Sequence, residues 1–143
     1  MNYILFMCLA NSARSQIAEG LANNLLPTNF IVQSAGSHPT TVNSFAIKVM
    51  QEINIDISRY HSKSYDALPN SFKENLDLVI TLCKEEICPI LPGNVKHLKW
   101  PFEDPVGNFN NNDDVSFSKF RVTRDKIKEK ILYIESILKD EKN

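Results

Sequence analysis

A chain of 143 residues, 43% hydrophobic and 23% charged, is the size of one domain and rich enough in apolar side chains to build a core, which excludes disordered and two-domain readings. Sixteen Lys and Arg against 17 Asp and Glu leave a net charge of −1, so no global field draws the protein to nucleic acid or to an anionic membrane. Apolar runs fall far short of the roughly 20 residues a membrane span needs, and the first eight residues lack the basic region and cleavage site of an export signal. The expectation is a single domain over residues 1–143, cytoplasmic and monomeric, with no nucleic-acid or membrane partner and with any anion site local.

Residues 3–7 form a short apolar, aromatic-rich run, then polar Asn11, Ser12, Arg14 and Ser15 precede Ile17, Leu21 and Leu25 at intervals of four: strand, loop, helix. Pro27 closes the helix, 30–33 reads as a second strand, and 35–39 is turn-rich. A second helix capped by Asn43 places Phe45, Val49 and Ile53 on its buried stripe. The stretch 56–70 has no sustained period and is expected to wrap the surface before 76–83, a nearly continuous apolar run suited to a central parallel strand. A fourth strand is expected over 95–98, after breaks at Pro89, Pro92 and Gly93. A loop begins at Trp100, and 108–114 is too polar for core. Phe120, Ile127, Ile131, Ile134 and Leu138 then mark one long amphipathic C-terminal helix. Alternating strands and helices predict an α/β fold: a small parallel sheet covered by helices on both faces, with ligands at the carboxyl ends of its strands.

Cys8 stands where the first strand gives way to the first helix. In Cys8-Leu9-Ala10-Asn11-Ser12-Ala13-Arg14-Ser15 a thiol and a guanidinium lie six positions apart around a loop whose backbone N–H groups can converge on one concavity. Arg14 adds a planar fork for two oxygens of a tetrahedral oxyanion. The same environment favours thiolate over thiol at Cys8, with Ser15 as a hydroxyl donor.

At these residues the chain resembles the low-molecular-weight protein tyrosine phosphatase superfamily, and more closely its arsenate reductase branch. The resemblance extends through Gln16-Ile17-Ala18-Glu19-Gly20, Ser34-Ala35-Gly36, Ile55-Asp56-Ile57-Ser58, Thr81-Leu82-Cys83, Cys88-Pro89 and Glu103-Asp104-Pro105. It implies a four-stranded parallel sheet with flanking helices, an arsenate or phosphate oxyanion held by residues 9–15 (Leu9, Ala10, Asn11, Ser12, Ala13, Arg14 and Ser15), Cys8 as nucleophile, and Asp104 rather than Glu103 as the acid. It further implies a relay in which Cys83 attacks the Cys8–arsenic adduct and Cys88 then attacks Cys83. No bound cofactor is implied; electrons come from thioredoxin, glutaredoxin or a small thiol. Four residues separate Cys83 from Cys88 where thioredoxin-coupled members have six, which leaves the donor open among these three.

Other departures bear on mechanism. Ala13 stands where many relatives carry a second cysteine, and Ala10 replaces a glycine, so strain is expected at Ala10 if that position needs a positive φ. Some members bind potassium behind the loop through residues matching Asn11, Glu19, Ser34 and an Asp. Lys63 stands at the Asp position, so Lys63 is expected near Glu19 or Asn11, supporting the loop without potassium. Val106-Gly107 lacks the tyrosine that phosphotyrosine enzymes place after the Asp-Pro, and Trp100 and Phe102 read as core residues able to edge a mouth. No metal site is expected: His38, His61 and His97 lack ligand spacing, and two cysteines leave zinc undercoordinated. The same loop suffices for the alternative activity, hydrolysis of phosphate monoesters, and for a non-catalytic oxyanion sensor, against which the intact Cys8, Arg14 and Asp104 argue.

Overall fold

The N-terminal apolar run becomes β1 (Asn2–Cys8), the strand around which the molecule is organised in a computed structural model that describes residues 1–84, 95–106 and 112–142. After it come α1 (Arg14–Leu25), β2 (Phe30–Gly36) and α2 (Ser44–Gln51), then a 3-10 turn (Tyr65–Ala67), α3 (Asn70–Glu74) and β3 (Leu78–Thr81). β4 (Lys96–Lys99), α4 (Asp113–Ile131) and α5 (Ile134–Lys142) complete the order. The four strands pair in parallel in the order β2-β1-β3-β4, so β1 and β3 are interior. Strand alternation divides the apolar side chains between two faces. Ile4, Phe6, Leu78 and Ile80 join the larger core with Ile17, Leu21, Val49, Phe120, Ile127 and Ile131, whereas Leu5, Met7 and Val79 pack with Leu68 and Phe72. No helix among the described residues is long and apolar enough to cross a membrane.

Local chemistry explains the helix starts. Asn43 Oδ1 accepts from the Phe45 N–H at 2.8 Å, the N-cap read from the sequence, and Asn112 does the same for Val115 at 3.2 Å. In α4, Asp113 and Asp114 occupy the first turn and Lys128 and Lys130 the last, each sign at the favourable end of the helix dipole.

Several expected boundaries are corrected. β2 continues to Gly36, because Ser34, Ala35 and Gly36 pair with Phe6, Met7 and Cys8; three small residues hid that extension. β3 covers only four residues of the apolar run 76–83, since Leu76 follows α3, and β4 lies one residue later than expected. The stretch 56–70 is not all surface: Ile57 and Leu68 are buried, and α3 begins at its end. Ile53 falls beyond the end of α2, whose buried residues are Ala46, Val49 and Met50. The long C-terminal helix is two helices. With no Gly or Pro to mark it, the chain tightens at 132–133, where the Tyr133 N–H reaches the Lys130 carbonyl, and Ile134 and Leu138 remain buried beyond the break.

Candidate active site

Residues 8–15 link the carboxyl end of β1 to the start of α1. The carbonyls of Leu9, Ala10 and Ser12 accept from the N–H groups of His38, Thr40 and Asn43 at 2.9, 3.1 and 2.8 Å, and the Asn11 carbonyl accepts from Ser62 Oγ at 2.6 Å. All peptides described are trans. A trans peptide carries the next residue's N–H opposite its carbonyl, so the amides of Ala10, Asn11, Ser12 and Ala13 turn to the inner side of the loop. This is the geometry of an anion cradle, and it runs into a helix N-terminus. Gly36 makes it possible: a Cβ there would lie 2.6 Å from the Leu9 carbonyl oxygen and 2.9 Å from the Asn11 nitrogen.

Asn11 is fully buried at φ 49°, and this position, not Ala10, takes the left-handed conformation; Asn tolerates it better than most residues. The Lys63 N–H donates to Asn11 Oδ1 at 3.1 Å, which fixes the amide's orientation and leaves Nδ2 to donate to Ser15 Oγ at 2.7 Å and Ser34 Oγ at 3.0 Å. Ser15 Oγ thus accepts a hydrogen bond from Asn11. Its own proton can be donated to Cys8 Sγ, 2.8 Å away, an arrangement suited to a sulfur anion. Cys8 is a free cysteine and buried.

Arg14 is also buried. Its Nη1 donates to the Phe102 carbonyl at 2.9 Å and the Leu82 carbonyl at 3.4 Å, and its Nη2 lies 3.8 Å from Asp104 Oδ2. One guanidinium therefore joins the loop to the ends of β3 and β4. Asp104 divides its oxygens: Oδ1 accepts from the Val106 N–H at 3.0 Å in an Asx turn, and Oδ2 faces Arg14. Glu103 points elsewhere, to Lys84 Nζ at 3.1 Å, and that hydrogen bond, with the charges of Lys84, Lys119 and Lys126, holds its carboxyl below the usual range. Trp100 is core, 6.1 Å from Phe6 between ring centres, while Phe102 is half-buried.

Cys83, just beyond β3, is buried and disulfide-bonded. Cys88 lies outside the described residues. Behind the loop, Lys63 Nζ sits 3.4 Å from both Glu19 Oε1 and Ser34 Oγ, all three largely buried. Burial raises the Glu19 carboxyl above its ordinary value, partly offset by Lys63 and Ser34. An ammonium seated among these groups does not fit a potassium site there.

The family model described as low molecular weight phosphotyrosine protein phosphatase matches residues 3–143. The chain belongs to this family. It is 42% identical over 130 residues to "Arsenate reductase 2" of Staphylococcus saprophyticus, covering 90% of this chain and 92% of that protein. It is likewise 42% identical over 127 residues to "Arsenate reductase" of Staphylococcus aureus, covering 87% and 89%. Among solved structures, "An arsenate reductase in the phosphate binding state" superposes with a TM-score of 0.76 at 32% identity, covering 94% of this chain and 96% of that one. A low molecular weight protein tyrosine phosphatase from T. tengcongensis superposes with a TM-score of 0.73 at 22% identity, a likeness of fold.

Residues of this family member that sequence reasoning assigned no part in the loop also hold it. Gln16 Nε2 donates to the Asn11 carbonyl, to Asn11 Oδ1 and to the His61 carbonyl at 3.1, 2.9 and 3.1 Å. Ser62 and Gly36 join it, as given above. Only for Gly36 was there a sequence signal, a glycine just after an apolar strand; Ser62 acts through a backbone carbonyl and Gln16 largely so, contacts that leave no mark in a sequence.

Proposed function

We propose that the chain reduces arsenate to arsenite. The observation that carries this reading is the contrast between a free Cys8 thiol at the oxyanion loop and a Cys83 already in a disulfide. Ester hydrolysis needs only the first thiol. Reduction of arsenic(V) needs two electrons, which thiols supply as they become a disulfide. The high identity to arsenate reductases over most of the chain supports the same reading.

In the proposed sequence the amides of 10–13 and Arg14 bind arsenate through its oxygens, and Cys8 thiolate, kept by the Ser15 hydroxyl, attacks arsenic. Asp104 protonates the departing oxygen, which leaves as water. Cys83 thiolate then attacks Cys8 Sγ: a Cys8–Cys83 bond forms, the sulfur–arsenic bond breaks, and its electron pair leaves with arsenic as arsenite. Cys88 attacks Cys83, frees Cys8 and closes a Cys83–Cys88 disulfide. A thiol donor returns two electrons to it; we assign thioredoxin, glutaredoxin or a small thiol to this part. Asn11, Glu19, Ser34 and Lys63 support the loop, and exchanging potassium for sodium leaves the rate unchanged.

Hydrolysis of aryl phosphates is the second reading, favoured by the family itself, since Cys8, Arg14 and Asp104 suffice for it. Both activities are to be assayed side by side, with each donor, in wild type and in Cys8→Ser, Cys83→Ser and Cys88→Ser. A relay reductase loses multiple-turnover reduction in all three variants. Loss of hydrolysis in Cys8→Ser alone, with no arsenate reduction in wild type, overturns the proposal in favour of a phosphatase; oxyanion binding without either reaction leaves a sensor.

A further inference from the structure

We propose that a groove running from Lys84 along α4 to the α4–α5 break is the docking surface for a protein dithiol carrier, one with an acidic face around its reactive cysteine, that re-reduces the Cys83 disulfide. This rests on the reductase reading above.

α4 has two unlike sides. Phe120, Ile127 and Ile131 are buried in the core. Lys119, Val122, Lys126, Lys130 and Tyr133 recur every three or four residues and so form another stripe. All five are exposed, Val122 by 48% and Tyr133 by 65%, with Leu132 beside them at 59%. The stripe borders two cavities: one of about 340 Å³ between Lys84, Asp104, Val122 and Lys126, and one of about 690 Å³ between Lys130, Leu132 and Tyr133. Phe102 and Lys126 line both, so the groove is continuous. Its near end adjoins the chemistry: Lys84 follows Cys83 in sequence, and the Phe102 carbonyl holds Arg14.

Charge selects the occupant. Among the described residues of the groove, the acids are Glu103, paired with Lys84, Asp104, facing Arg14, and Glu129, set against Lys119, Lys126 and Lys130. In a chain of net charge −1 that is a local positive excess among the described residues, and it complements an acidic surface. Exposed apolar residues ringed by these lysines have the composition of a protein interface, more surface than a small thiol would use. On docking, the carrier's thiolate attacks the disulfide and the displaced sulfur leaves as thiolate and takes a proton. The carrier's second thiol then resolves the mixed disulfide; the carrier is oxidised as the chain is reduced.

The test follows reduction of the oxidised full chain by counting released thiols, so it does not depend on arsenate turnover. The reductants are thioredoxin, kept reduced by its reductase and NADPH, and separately dithiothreitol and glutathione. The expected result is that Lys126→Glu with Lys130→Glu slows thioredoxin about tenfold or more and flattens its salt dependence, while dithiothreitol is unaffected. Tyr133→Ser slows thioredoxin without altering the salt dependence, and Lys48→Glu, on α2, changes nothing. Equal thioredoxin rates in wild type and the double variant overturn the proposal, as does a parallel loss with dithiothreitol, which reports a structural defect. Reduction of wild type by glutathione but not by thioredoxin also overturns it. If the docking result holds but wild type reduces no arsenate with any thiol, the reductase reading fails instead.

Discussion

Asn11 is fully buried, with both ends of its amide and its carbonyl engaged by Ser15, Ser34, Lys63, Gln16 and Ser62, whereas Asp104 is half exposed, tied by an Asx turn and a 3.8 Å approach to Arg14. The difference fits what each half would do in the proposed mechanism. A nucleophile and its anion cradle gain from donors that need no rearrangement when charge develops, which requires a dry, over-determined loop. An acid that gives up a proton in each cycle must recover one from water. Substitutions in the first region should therefore lower stability and rate together, and substitutions in the second should lower rate alone.

The largest effect expected is that of Asp104→Asn, which keeps the Asx turn and removes the acid: a fall in kcat of about 10²- to 10³-fold with an unchanged melting temperature. A matching loss of thermal stability would erase the contrast between the two regions. Asn11→Ala strips a buried hub and puts a less tolerant residue at φ 49°, so a stability loss of about 2–4 kcal/mol in denaturant titration is expected together with a fall in activity. Gly36→Ala should cost about 1–3 kcal/mol by pushing the loop backbone outward, and oxyanion affinity should fall with it; unchanged affinity would mean the loop does not depend on that close approach.

The smallest effect concerns pH. Glu19 has a raised carboxyl in the fold, so its contribution to stability is complete below about pH 4.5 and is lost as pH rises through the folded value. Glu19→Gln abolishes that loss, so the melting temperature of the variant minus that of wild type should increase as pH climbs above 4.5. A difference that stays flat, or shrinks, would show that Lys63 outweighs burial at this carboxyl.

Much was legible without coordinates. A thiol after an apolar strand, a guanidinium six residues on at a helix start, and the Asn43 cap are local chemistry, written in neighbouring residues. The alternation of periods similarly determined a parallel α/β sheet. Tertiary structure alone decided that Gly36 admits the loop, that Gln16 and Ser62 reach the Asn11 carbonyl, that Arg14 grips the carbonyls of Leu82 and Phe102, and that the last helix breaks at 132–133. The physical reason is shared by most of these: their partners are backbone atoms, which every residue carries, brought together from positions as much as 88 residues apart. Side-chain identity marks where chemistry can occur, but it carries no record of where a distant carbonyl comes to rest.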